Sequence, residues 1–477
     1  MGWGPGAVNG VGAPPQRTML AAIEKPAALN VDAGRSRLAI LVAAWAVFVL
    51  AVYCPDVGRG FVKDDFTWIR AAKSAIAQPA DLIVPREPGF YRPLVTASFA
   101  LDYASHRWQP RGYGWTNVAL YVASTAAVGI LALAIGLSEY AAIMAAFLWA
   151  VNPHGINMAV LWLSGRTALC LTLFSVLAAS AFARRRFGWG AVAIALALAS
   201  KEEAVVLPFV LLAWTWMLDG RHRIPAGAVI AAVLPLAVYG VFRTMIPAFT
   251  PATASSFYRF ATDPIVLIRN VTAYLDRSAT LVIAATLLVL AIGNRWFESD
   301  TTLKRIVRLS VVWWAGMLAI TVWLPVRSSL YAVCPSVGSA LVGAVLIEQV
   351  RRRTSEVRRS LIEPALAATL VLTIPIYQIR NDAWVEGARV SQRTLVAIRS
   401  NADALPTRGR IVLADDRGAT VSNFRNAFGD LTTEALQTAF NRQWDASIVD
   451  DDSAPSQDVI ARYQLDRGRI VATVPPQ

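Results

Sequence analysis

Four things are scarce in this sequence: charge, lysine, cysteine and histidine. Charged residues make up 16% of it, against about 25% in a soluble globular protein, which argues against an ordinary soluble enzyme. Five lysines stand against forty arginines, so Lys63 and Lys201 draw notice. Cys54, Cys170 and Cys334 have no metal-ligand spacing and form no disulfide framework. They lie in or beside apolar stretches and read as buried free thiols, with a Cys54–Cys334 bridge as the alternative. His106 and His154 likewise lack paired ligand spacing, which argues against a histidine-bound metal. No repeat of 20–50 residues is visible, which argues against a solenoid.

Apolar residues are plentiful. They form 56% of the chain, with a mean hydropathy of +0.46, and recur in runs of about 17–25 residues, the length that crosses a bilayer. The fold class is therefore a polytopic α-helical membrane protein of about 11 transmembrane helices. The expected spans are 38–54, 116–136, 139–152, 167–183, 187–200, 204–218, 224–243, 266–292, 306–324, 333–349 and 361–379. A net charge of +13 would suggest nucleic acid in a soluble chain. Here the basic residues sit in loops between spans, so topology accounts for them.

The arginine clusters set the orientation. Arg184–Arg186, Arg221 with Arg223, Arg295–Arg308 and Arg351–Arg359 fall on one side. So does the basic tail 1–37, with Arg17, Lys25, Arg35 and Arg37. The positive-inside rule makes that side cytoplasmic. The tail has no short charged start followed by a cleavage site, so the first span reads as an uncleaved anchor. Three regions follow: the cytoplasmic tail 1–37, a membrane domain 38–379 with a long first outer loop 55–115, and a polar segment 380–477. In the last, a helical stretch, RIVLADD, DLTTEALQTAF and RIVATV read as a small extracytoplasmic α/β domain. Asp415 and Asp416 at its strand end are either a ligand edge or a solvated turn.

This topology gathers KDDFTWI, YRPL, NPHGIN, SGR, SKEE and RSSLY on the outer face. Acids beside lipid are costly and usually face a water-filled site with a function. Asp64 and Asp65 are thus either capping acids or a general base and its neighbour, one taking a proton from an acceptor hydroxyl. Arg92 of YRPL is either an interface anchor or the shaper of the loop carrying the aspartates. A Lys-Glu pair between two short apolar runs, Lys201 with Glu202, is more than snorkelling and reads as a cavity lining. Arg166, Lys201 and Arg327 are ordinary headgroup contacts or, jointly, the cations that neutralise a lipid-linked phosphate.

In this order the motifs resemble the GT-C fold glycosyltransferases, and within them the transmembrane-and-TPR O-mannosyltransferase family and its bacterial relatives. The shared pattern is the DD pair after span 1, YRPL, Asn117, W-x-SGR at Trp162–Arg166, SKE at Ser200–Glu202, and R-x-x-LY-x-x-PS-x-G at Arg327–Gly338. It covers about residues 38–350. The resemblance implies a GT-C-like membrane domain and inverting transfer of a single sugar from a polyprenyl-phosphate donor, mannosyltransferase-like, to an acceptor hydroxyl of a glycan, lipid or protein on the outer face. It implies Asp64 as the base with Asp65 beside it, and a donor-phosphate and substrate set of Arg92, Arg166, Lys201, Glu202, Arg327, Tyr331 and His154. Some members of the wider fold use a divalent metal, Mg or Mn, and others none. One departure is plain: the family's HP-x-x-x-E reads NPHGIN here, with Asn152 and Asn157 for His and Glu. A TPR array is also missing. Two other readings stand beside this one: a transporter or flippase of lipid-linked sugar, and a non-catalytic GT-C-like scaffold. A bacterial inner membrane is the expected location.

Overall fold

The computed structural model describes residues 1–2, 27–86, 89–220, 223–249, 253, 256–292, 301–415, 422–450, 459–466 and 469–474. Arg17, Lys25, Arg221, Arg295 and Asp416, named above, lie outside them. The helices are α1 (Ala27–Val52), α2 (Asp65–Ala77), α3 (Pro93–His106), α4 (Pro110–Ala134), α5 (Glu139–Ala150), α6 (Gly155–Leu161), α7 (Arg166–Ala183), α8 (Phe187–Leu198), α9 (Leu207–Leu218), α10 (Ala226–Thr244), α11 (Pro264–Ile292), α12 (Thr301–Leu318), α13 (Ser336–Arg353), α14 (Glu356–Arg359), α15 (Ile362–Arg399), α16 (Phe424–Phe428) and α17 (Thr432–Phe440). Local chemistry marks several starts. Proline opens α3, α4 and α11, where its missing N–H costs nothing and its φ suits a helix. Ser138 caps α5 by accepting from the Ala141 amide at 3.1 Å.

Among the described residues, five helices are long and apolar enough to cross a membrane, or up to six if α5 and α6, bent by 66°, form one span. The eleven apolar runs do not all become such helices. With twelve residues each, α8 and α9 are only about 18 Å long, short of the roughly 30 Å hydrocarbon core. SKEE separates them. Lys304, Arg305 and Arg308 interrupt the apolar character of α12, and Arg351–Arg353 end α13. The runs at 361–379 and 382–400 join into the single helix α15 of 38 residues, with Pro375 inside it. All three cysteines are free.

A four-stranded sheet lies near the carboxyl end: β1 (Arg408–Asp415), β2 (Gln443–Asp450), β3 (Val459–Asp466) and β4 (Arg469–Val474). The order is β2-β1-β3-β4. β1 pairs in parallel with both neighbours, Leu413 facing Ile448 and Tyr463, and β4 returns antiparallel to β3. The central strand is buried on both faces toward its end, as a parallel strand should be.

The sheet does not stand apart. Ile411, Leu413, Phe424, Phe428 and Leu436 share one apolar core with Phe61, Phe66, Trp68, Phe99 and Tyr113 of the segment 55–115. Lys73 Nζ donates to the Thr438 carbonyl of α17 at 3.1 Å, and the Lys63 amide donates to Ala427 at 3.0 Å. On the other flank Arg389 of α15 bridges Asp56 at 3.1 Å and Asp382 at 3.0 Å. Gly60 lies in the seam, at φ +117°, and a Cβ there would come within 2.5 Å of the Ala388 carbonyl oxygen. Gly60→Ala should therefore cost about 1–3 kcal/mol and lower the thermal midpoint of the purified protein. An unchanged midpoint would show that the seam yields freely.

Candidate functional site

The site is built on the start of α2. Lys63 precedes it at φ +49°, a backbone region that side chains with a Cβ occupy only at a cost. Strain of this kind persists only where the surroundings enforce it, and here the Lys63 amide is pinned to Ala427. The turn sends the two adjacent aspartates to different environments. Asp65 is fully buried. Its Oδ2 accepts from the Val62 amide at 2.9 Å, and its Oδ1 accepts from the Ser164 amide at 2.8 Å and the Ser164 hydroxyl at 2.5 Å. Burial pushes its carboxyl up to about 6, against the opposing pull of those hydrogen bonds and of Arg59. Asp64, half-buried at the helix cap, makes no hydrogen bond to another side chain or amide among the described residues. Burial raises its pKa, Arg92 and Lys63 lower it, and Glu434 of α17 raises it.

Around Asp64 the charges come in pairs. Arg92 donates from Nε at 2.9 Å and Nη2 at 2.7 Å to one oxygen of Glu202, and its guanidinium lies 4.2 Å over the Phe90 ring. Lys201 pairs with Glu203 at 2.8 Å, both largely buried, and its ammonium sits 4.4 Å from the centre of the Tyr331 ring. The break between α8 and α9 creates this arrangement: Lys201 is extended, and a 3₁₀ turn over Glu202–Val206 follows. The electrostatic environment of Tyr258 includes Asp64, Arg92, Glu202 and Glu203, so its loop reaches the same place. Arg327, two residues before the turn that carries Tyr331, is exposed. It has no hydrogen bond or ion pair among the described residues.

Arg166 is placed differently from the expectation that it binds donor phosphate. Its side chain is 0% exposed and spent on protein partners. It pairs with Asp102 at 2.6 Å and donates to Asn117 Oδ1 at 3.1 Å, Ser98 Oγ at 3.0 Å and the Tyr113 carbonyl at 3.2 Å, with Phe99 against its face. A buried guanidinium must find such partners, and with four of its five N–H groups engaged and no exposure it is shut away from a ligand phosphate. It is a structural knot joining α3, α4 and α7. His154, at the head of α6, also lies away from Asp64; its charged neighbours are Arg380, Asp276 and Arg277.

Asn157 is 1% exposed and donates to Asn381 of α15 at 2.8 Å. The departure from HP-x-x-x-E thus falls at a helix contact, where Asn381 in turn donates to the Val52 carbonyl at 2.8 Å. No group of three or more His, Cys, Asp or Glu is placed to hold a metal among the described residues. Both Asp65 oxygens are taken, and Glu202 and Glu203 face cations. These residues do not fit Mg or Mn, and no step below runs through one.

Three contributors escaped the sequence reading. Glu203 stood in SKEE but only its neighbour was singled out. Tyr258 belongs to a loop without a motif. Glu434 comes from the carboxyl-terminal unit, and only the fold brings it near α2, where it pairs with Arg70 at 3.4 Å.

No protein-family model and no curated protein sequence matches the chain. Solved structures similar to it include ArnT from Cupriavidus metallidurans, in the apo state (12% identity, TM-score 0.48, 85% of each chain covered) and bound to undecaprenyl phosphate (12%, 0.46, 85% of each). Another is the Archaeoglobus fulgidus oligosaccharyltransferase tethered to an acceptor peptide (12%, TM-score 0.43, 86% of this chain). The chain spans 63% of that archaeal protein's length. Likenesses this distant decide neither fold nor activity.

The Asp65 pKa gives a signed prediction. Its folded value of about 6 lies above the ordinary 3.8. Its contribution to stability is therefore fully present below 3.8 and is lost as pH rises through about 6. Relative to Asp65→Asn, the wild type should lose about 2 kcal/mol between about pH 4.5 and pH 7.5. Denaturation of both proteins at the two pH values checks this; identical slopes would mean that Asp65 titrates normally.

Proposed function

We propose that this chain is an inverting glycosyltransferase of the GT-C class that moves a single sugar from a polyprenyl-phosphate donor to an acceptor hydroxyl, on the extracytoplasmic face of a bacterial inner membrane. The observation that carries the proposal is the contrast between the two aspartates. Asp65 is locked by the SGR turn, whereas the Asp64 carboxylate is partly exposed, faces Arg92, Lys63 and Glu434, and has no hydrogen bond to another residue among the described ones.

In this reading Asp64 accepts the proton of the acceptor hydroxyl. The hydroxyl oxygen attacks the anomeric carbon as the bond from that carbon to the phosphate oxygen breaks. Polyprenyl phosphate leaves with both electrons of that bond as a dianion, so no general acid is required. A raised pKa makes Asp64 a stronger base than a solvated aspartate. Its position at the cap of a helix whose next residue is held by three hydrogen bonds satisfies the need for a fixed base. Arg327 has charge to spare for the phosphate. Lys201 and Arg92, each already paired, act as a neutral polar wall whose dipoles can turn toward the developing charge. Tyr331 and Tyr258 offer rings and hydroxyls to the sugar. Arg166 and Asp65 position the others and touch no substrate.

The test is turnover by the purified full-length protein in liposomes, with a panel of polyprenyl-phosphate monosaccharides. Asp64→Asn should reduce release of polyprenyl phosphate by about 10²–10⁴-fold with normal insertion. Arg327→Gln should lower kcat/KM about ten- to a hundredfold. Undiminished turnover in Asp64→Asn would remove it as the base. Absence of turnover with every donor would favour a scaffold or a flippase.

A further inference from the structure

A second polar site lies where α5 breaks, on the α11 side of the molecule and apart from Asp64. A cavity of about 80 Å³ is lined there by Asn152, His154, Asp276, Arg277, Ser336 and Ser339, among others. A single water needs only about 10–15 Å³ of such space, so the cavity holds a group of several heavy atoms. Arg277 Nη1 is buried and has no hydrogen-bond partner among the described residues, and no ion pair to its guanidinium is seen among them. Asp276 beside it is engaged instead by the Thr280 hydroxyl at 2.8 Å. Asn152 holds the Arg277 backbone, donating to its carbonyl at 3.3 Å. The Ser336 hydroxyl donates to Val333.

A buried guanidinium nitrogen left without an acceptor costs more than a solvated one, and in a residue that lines a cavity it calls for an anionic acceptor. The depth fits the membrane surface. From Arg277 to Ile292, where α11 ends, is about 22 Å at 1.5 Å per residue, and Ser336 sits at the opposite end of α13 from Arg351–Arg353. Arg277, His154 and Ser339 thus lie toward the end away from Arg351–Arg353, which in the proposed orientation is the outer interface, where lipid phosphates are found.

We propose that this cavity is an anion site that binds a phosphate monoester through Arg277, with His154 and Ser339 as further hydrogen-bonding groups. It is separate from the donor site and does not depend on Asp64 chemistry. The phosphate is that of an outer-leaflet isoprenoid lipid or free phosphate, two sources with the same chemistry. The test is thermal unfolding of the full-length detergent-solubilised protein in an Arg327→Gln background, so that binding at the proposed donor site is weakened. Citronellyl phosphate and inorganic phosphate are titrated separately, with chloride at equal ionic strength as the control.

A rise of at least about 2 °C with either probe, absent with chloride and lost in Arg277→Gln, supports the site. A rise with citronellyl phosphate alone identifies a lipid occupant, and one with both identifies free phosphate as sufficient. Ser339→Asp supplies a resident carboxylate; it should keep the fold and abolish the response, which guards against a poorly folded Arg277→Gln. No rise with either probe overturns the proposal. So does a rise that persists in both Arg277→Gln and Ser339→Asp, or an equal rise with chloride.

Discussion

The arrangement hangs on one constraint, the burial of a guanidinium. Arg166 sits at the head of α7 with no exposure, and a charge taken out of water must be paired or the fold fails. Asp102 and Ser98 come from α3, and Asn117 and Tyr113 from α4. Two residues earlier, Ser164 seizes Asp65 and with it the start of α2. Asn117 reinforces the same turn, donating to the Trp162 carbonyl at 3.0 Å. A three-residue turn thus fixes α2 and α3 to α4 and α7.

With that frame in place, the electrostatics of the outer site reduce to a difference. Arg92 cancels Glu202, and Lys201 cancels Glu203. Asp64 is left without an ion-pair partner among the described residues, with Lys63 beside it. Paired charges in a partly dry site give a firm polar lining at little net potential, while an unpaired one can meet a ligand. Lys201 also shows why composition drew attention to it: its ammonium is held between a carboxylate and an aromatic face, a place where a compact point charge serves better than a planar fork.

Much of this was legible in the residues. Apolar runs located the helices, and the acids and bases at the ends of those runs named SKEE, SGR and the DD pair as a group. Their division of labour was not legible. Asp64 and Asp65 are chemically identical neighbours, and only the turn at Lys63 decides which is buried. Arg166 looked like a phosphate ligand because nothing in the local sequence announces Asp102, 64 positions earlier, as its partner. Spans are hard to count from sequence for a related reason: apolarity marks burial in protein as well as in lipid, so short helices such as α8 and α9 carry the same signal as a crossing helix. The sheet was visible as RIVLADD and RIVATV, but its docking on the first loop rests on side chains hundreds of residues apart.

That docking bears on how the protein is made. The core under α2 joins Phe61, Phe66 and Trp68 to Phe424, Phe428 and Tyr463, and Lys73 reaches Thr438 across 365 positions. Contacts of such sequence separation form late, after the loop-closure entropy has been met. During synthesis the segment around α2 emerges early and waits, its apolar face bare, until the final fifth of the chain has been made. The carboxylate at its tip acquires a fixed direction only then, so the growing polypeptide carries this arrangement in an unassembled form through nearly all of its own synthesis.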